Sequence, residues 1–233
     1  KTLFIVICLR SIIVRMRKPP DYNEEAKKLF ASLNLSVTGA SSEESRRLHG
    51  YRDLDAVWKH PTTGACVFIG NATAAGSRQM MRDNSITHIV NCTSDMPNKF
   101  EGVDDSLTYY RFDIYKHLRE LGFTAGLRAD RGVLEAFMPV FEFVDAATAD
   151  NNSVLIHCLA GAHRAGTTGI AVAMHAANLD HRTAIAACKA CRPIVDPIGD
   201  LTKVLGQLEV AMRTRSTAEL VAHVADNVDT ESR

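Results

Sequence analysis

The sequence predicts an α/β domain built on a mixed, largely parallel central sheet of about five strands, flanked by helices on both faces. Three observations carry this expectation. Val67-Phe68-Ile69, Ile86 to Asn91 and Val154-Leu155-Ile156 are short apolar runs of the kind that parallel strands buried on both faces require. They alternate with longer stretches whose apolar residues recur at helical spacing, the pattern of β-α-β units. Across 233 residues, 46% are hydrophobic and 23% charged, which is ordinary for a globular chain and excludes wholesale disorder.

Taken in chain order, residues 1–50 are weakly patterned and read as an N-terminal extension. Leu3 to Val14 is its most apolar stretch, but it falls short of the ~18 residues of a membrane helix and carries Arg10. It reads as a buried strand or helix, with a signal remnant as the alternative. Glu24 to Leu35 places Leu29, Phe30 and Leu33 at helical spacing, and Ser36 to Ser45 reads as a linker. A catalytic-type domain is expected over 51–213. In it, Val67 to Ile69 is a strand, Thr73 to Asn84 one helix, Ile86 to Asn91 a strand and Leu107 to Ile114 a third strand. Lys116 to Ala129 is a polar connection with room for a helical turn. Asp130 stands at an N-cap position before a helix that turns Val133, Phe137, Val140, Phe141 and Val144 to one side. Pro139 should kink or break it. Val154 to Ile156 is the fourth strand. Gly166 to Ala177, His181 to Cys191 and Leu201 to Met212 are helical, and 214–233 forms a tail with a helical turn or two.

Charge and cysteine usage narrow the function classes. Lys plus Arg and Asp plus Glu are equal at 27 each. That balance argues against a strongly basic surface for nucleic acid, and no membrane association is expected. Six cysteines in a chain of this length do not form the staple framework of a small secreted domain, so a reducing, cytoplasmic compartment is expected, with the nucleus as the alternative. Cys66, Cys92 and Cys158 lie in or beside strand-like runs. Cys188 and Cys191 form a lone C-x-x-C on a helix, read as core packing because a second ligand pair is missing; no metal and no cofactor are expected.

One segment carries chemistry: Val154 to His157, then Cys158-Leu159-Ala160-Gly161-Ala162-His163-Arg164, then a helix. A strand followed by a loop of small residues and a helix start can turn its amide groups to one centre, an anion nest. Such a nest binds a phosphate dianion and favours an anionic sulfur at Cys158. Leu159, Ala160, Gly161, Ala162 and His163 would supply the amides, and Arg164 a planar fork for two phosphoryl oxygens. Gly161 with its small neighbours lets the loop close. A thiolate beneath a held phosphoryl group suits transfer of phosphorus to sulfur.

His157-Cys158, five residues and Arg164 resemble the signature of the cysteine-based protein tyrosine phosphatases, and the surroundings resemble their dual-specificity, atypical branch. Val67 to Ala75, Ile86 to Thr93 and Arg192-Pro193-Ile194-Val195-Asp196-Pro197 are similar to further family segments in the family's order. The resemblance implies the family fold and a metal-independent phosphatase acting on a phosphoprotein. It implies Cys158 as nucleophile, Arg164 and the loop amides as phosphate ligands, and His157 as support for the cysteine. Lipid, glucan or RNA phosphate esters are alternative substrates, and a phosphate-binding scaffold with weak turnover is an alternative function.

Three positions depart from the family pattern. Ala165 stands where a Ser or Thr usually assists departure of the sulfur; Thr167 or Thr168 are the candidates to replace it. The general acid is not at its usual spacing. Asp113, in Tyr110-Arg111-Phe112-Asp113, is the first candidate, with Asp130, His117 or another group, and the lack of a dedicated acid as alternatives. His163 precedes the arginine where small or polar residues are commoner, and reads either as a substrate contact or as a solvent-facing side chain.

Overall fold

A computed structural model describes residues 20–32, 51–122 and 132–231, with side chains described through residue 217. The elements in order are α1 (Tyr22–Ser32), β1 (Leu54–Lys59), β2 (Cys66–Gly70), α2 (Ala72–Ala75), α3 (Arg78–Asp83), β3 (Ile86–Asn91), β4 (Thr108–Arg111), α4 (Ile114–Glu120), α5 (Gly132–Ala149), β5 (Ser153–His157), α6 (Arg164–Ala177), α7 (His181–Cys191) and α8 (Asp200–Glu231). The five strands lie in the order β1-β2-β5-β3-β4. β1 runs antiparallel to β2, and β2, β5, β3 and β4 are mutually parallel. The expected fold class is therefore the one observed, with β5 at the centre.

Strand alternation sends side chains to two cores. Val67, Ile69, Val90, Val154 and Ile156 face the larger one, with Phe137 and Phe141 of α5, Ile170 of α6 and Leu205 and Leu208 of α8. Phe68, Ile89 and Leu155 face the smaller one, with Met81 of α3 and Ala74 of α2. The helix α6 lies so close to β2 that a Cβ at Gly169 would sit 2.4 Å from Ile69 Cδ1.

Several expectations need correction. The helix expected over Thr73 to Asn84 is two short ones, because Ser77 turns the chain and caps the second by accepting from Met80 N. The strand expected over Leu107 to Ile114 stops at Arg111. Asp113 caps α4, its Oδ1 accepting from Lys116 N at 3.2 Å, so Ile114 onward is helical. The strand β1 was not anticipated. Its polar residues, Asp55 among them, obscure the apolar signal, and a bulge interrupts its register between Ala56 and Trp58. The helix α5 runs through Pro139 without a break. Cys188 is buried as core, but Cys191, three residues on, faces outward. The last helix continues unbroken from Asp200 to Glu231. Asp130 and the stretches 1–19 and 33–50 lie outside the described residues. No described helix is long and apolar enough to cross a membrane.

Candidate active site

The central strand β5 ends at His157, and Cys158 opens the loop that leads into α6 at Arg164. The site thus occupies the C-terminal edge of the parallel strands, where α/β folds place their ligands. What shapes the loop is the destination of its carbonyl groups. Leu159 O accepts from Ala72 N at 3.1 Å, and Ala162 O from Asp196 N at 3.1 Å. Ala160 O accepts from Arg192 Nη2 at 3.2 Å and Gly161 O from Arg192 Nε at 2.9 Å. His163 O accepts from both Thr167 N and Thr167 Oγ1, at 2.8 and 2.7 Å. Five successive carbonyls are tied to the surrounding scaffold. Among the described residues no acceptor takes the amide hydrogens of Leu159 through His163. Gly161 makes the turn at φ +65°, and a Cβ there would lie 2.5 Å from Gly70 O; only glycine fits.

Arg192 is the largest fully buried side chain among the described residues. Besides the two loop carbonyls, its Nη1 donates to Arg52 O at 2.9 Å and to Asp55 Oδ2 at 2.7 Å. Its guanidinium stands 5.5 Å from the Tyr51 ring centroid. Tyr51 Oη accepts from Asn71 Nδ2 at 2.6 Å, and Asn71 also donates to Asp53 Oδ1 at 2.8 Å. A buried cation is tolerated only when its hydrogen bonds are satisfied, and here that requirement is met by holding the loop. The sequence marked Arg192 only as part of an Arg-Pro turn; its support of the loop was not legible.

Arg164, the other arginine of the site, is 6% exposed. Its Nη2 donates to Asn23 Oδ1 of α1 at 2.6 Å, and its Nε is buried with no partner among the described residues. Nothing in the sequence linked Asn23 to the loop, because 141 residues separate it from Arg164. The helix α1 is seated by Ala26 and Phe30, which pack with Tyr51, Ala160 and Ala162.

The remaining side chains fall into distinct places. Burial pushes the imidazole of His157 down to about 3, with the Arg111 and Arg164 charges adding to the effect. It is therefore neutral at physiological pH, and any support it gives the cysteine is by hydrogen bonding and packing, not by positive charge. His163 is buried, not solvent-facing, and a ring nitrogen, Nδ1, is 2.6 Å from Asp196 O. Both threonine hydroxyls bond back along α6: Thr167 to His163 O, Thr168 to Arg164 O at 3.0 Å. Thr168 also accepts from Cys92 Sγ at 3.4 Å. Ala165 is fully buried. Burial drives the Cys92 thiol far up, and Cys158 and Asp113 are both near enough to raise it further. Asp113, Cys158 and Cys92 thus share one neighbourhood. His117 stacks on Phe112 at 5.1 Å between centroids.

Comparison with known proteins follows the same residues. The catalytic-domain pattern of the dual specificity phosphatases matches residues 67–210. The chain is 29% identical over 149 residues to Dual specificity protein phosphatase Mpk3 of Drosophila melanogaster, a match covering 64% of this chain and 33% of that protein. It spans about a third of the length of the first curated relatives it matches. A mouse putative dual specificity phosphatase solved with zinc tungstate superposes with a TM-score of 0.55 at 22% identity, over 70% of this chain and 91% of that one. PTPMT1 in complex with PI(5)P superposes with a TM-score of 0.53 at 14% identity, over 71% of this chain and 99% of that one.

Proposed function

The chain belongs to the dual specificity phosphatase catalytic-domain family, and from that premise we propose that it hydrolyses phosphate monoesters on proteins through a phosphocysteine intermediate, without a metal ion. The observation that carries this reading is the row of outward-tied carbonyls from Leu159 to His163, which leaves five amide donors to a single anion. Sγ of Cys158 attacks phosphorus in line and the bond to the leaving oxygen breaks. Asp113 supplies the proton that the leaving alkoxide or phenoxide takes up. Arg164 and the loop amides hold the three remaining oxygens through the charge-dispersed transition state. Water then attacks phosphorus, giving its proton to the Asp113 carboxylate. Breakage of the S–P bond returns the thiolate and inorganic phosphate.

The substrate class follows from what the loop lacks. Leu159, Ala160 and Ala162 provide no cation for extra phosphates, and Ala160 and Ala162 are packed under α1. That favours a phosphoprotein monoester over an inositol lipid of the kind PTPMT1 holds. A reducing compartment suits an active site that depends on a free thiol.

Turnover of a small aryl phosphate in the presence of chelator, compared between the wild type and Cys158→Ser, tests the reading. Metal-independent turnover abolished by the substitution is expected. An inactive wild type that still binds phosphopeptide would establish the scaffold function instead.

A further inference from the structure

The N-terminal helix α1 precedes the family-matched region, yet it reaches the centre of the site. Asp21 caps it, Oδ1 accepting from Asn23 N at 3.0 Å and Glu24 N at 3.2 Å. Those amides hold the Asp21 carboxyl below its ordinary range, and Arg164 lies near enough to contribute. Tyr22 is buried edge-on against Tyr115 of α4, 5.7 Å between centroids. Phe30 meets Tyr51 in the same way at 5.8 Å, and Pro20 stands beside Gly199. The helix therefore bridges the segment bearing Asp113, the phosphate-binding loop and the turn before α8. An isolated helix of 11 residues is marginal in water, so these contacts hold it and fix where Asn23 points.

We propose that Asn23 is the positioning residue for Arg164: its amide oxygen accepts from Nη2 and fixes the guanidinium plane, so that the unpartnered Nε–H is held for the phosphoryl group. A neutral acceptor suits this task. It orients the cation without neutralising it, whereas a carboxylate in the same place would compete with the phosphate dianion. The buried, unpartnered Nε of Arg164 is one donor left for substrate. This inference rests on the phosphatase reading for its consequence in catalysis, but the positioning itself does not.

The test compares the full chain with Asn23→Ala and Asn23→Asp by thermal melting, by the guanidinium 15N–1H resonances of Arg164, and by inhibition of aryl phosphate turnover with inorganic phosphate. Wild type should show separate, slowly rotating Nη resonances for Arg164, identified by their loss in Arg164→Lys. Asn23→Ala should lose them, lower kcat/KM about tenfold or more, as misorientation of a catalytic group does, and weaken phosphate inhibition comparably, at an unchanged melting temperature. Asn23→Asp should restore the resonances but weaken phosphate inhibition, a split that a merely structural role would not produce. Unchanged resonances and inhibition in Asn23→Ala would overturn the inference while leaving the phosphatase reading intact. Tighter phosphate inhibition or faster turnover would overturn it too, by showing that Asn23 occupies the phosphate's place. Loss of the resonances in Asn23→Ala with no turnover by wild type would uphold the positioning and reject the phosphatase reading.

Discussion

Asp55 on β1 and Arg192 after α7, 137 residues apart in the chain, form a buried ion pair at 2.7 Å beneath the loop that joins β5 to α6. Neither partner carries chemistry. Together they fix a cation whose other hydrogens pin the carbonyls of Ala160 and Gly161, and so they determine which way the loop amides face.

Removing Arg192 should therefore cost stability and phosphate binding together. Arg192→Ala leaves the buried Asp55 carboxylate with only the exposed Arg52 as counter-charge, a loss of up to about 3–5 kcal/mol, and it releases two loop carbonyls. Arg192→Lys should be nearly as harmful, because one ammonium cannot reach four acceptors in a plane. Urea unfolding and phosphate titration check this; a loss under ~1 kcal/mol in Arg192→Ala would show that the pair does not support the fold.

Gly161→Ala should damage the site more than its size suggests. The left-handed backbone alone costs about 1–2 kcal/mol for an L-residue, and the new Cβ would collide with the Gly70 carbonyl at 2.5 Å. Lower stability with phosphate binding largely lost is expected. A variant that binds phosphate as tightly as wild type would mean the loop reaches its geometry without this turn.

His157 makes stability depend on pH. Its imidazole is held down at about 3 in the fold, against an ordinary 6.5. Between those values the unfolded chain binds the extra proton, so stability is full above ~6.5 and falls as the solution is acidified toward 3. The loss between pH 7 and pH 5 should be on the order of 2 kcal/mol from this group. Urea unfolding at the two pH values, wild type against His157→Asn, reads it. Equal slopes in both proteins would assign the acid sensitivity elsewhere.

Ala165 sets the expected slow step. No hydroxyl stands at this position, and Thr167 and Thr168 are engaged with carbonyls of their own helix. Phosphocysteine should accumulate, with a burst of product and kcat nearly independent of the leaving group. Ala165→Ser should raise kcat about ten- to a hundredfold, the rate equivalent of one hydrogen bond to a charged group, while kcat/KM stays almost unchanged. If Ala165→Ser does little and a Thr167→Ala or Thr168→Ala change removes turnover, a threonine supplies the hydroxyl. Absence of a burst would place the slow step before sulfur departure.

The sequence by itself determined the features whose cause is local. The apolar run from Val154 to Ile156 must be a buried strand wherever it lies. Cys158, Gly161 and Arg164 fall on one short connection because the strand ends at His157 and the helix starts at Arg164. The extent of α7 could be read from the helical spacing of its apolar residues, and His181–Cys191 is helical as expected. Tertiary structure decided the rest, because the partners lie far apart in sequence and each is uninformative alone. Asp55 makes β1 read as polar until Arg192 satisfies it. His163 reads as a substrate contact or a solvent-facing side chain until the chain returns at Asp196, whose carbonyl meets its ring. Asn23, an ordinary polar residue in a first helical turn, becomes a partner of Arg164 only because Ala26 and Phe30 seat α1 on the loop. A periodicity reports which face of an element is buried; which cation meets which acceptor is settled only when the elements are packed.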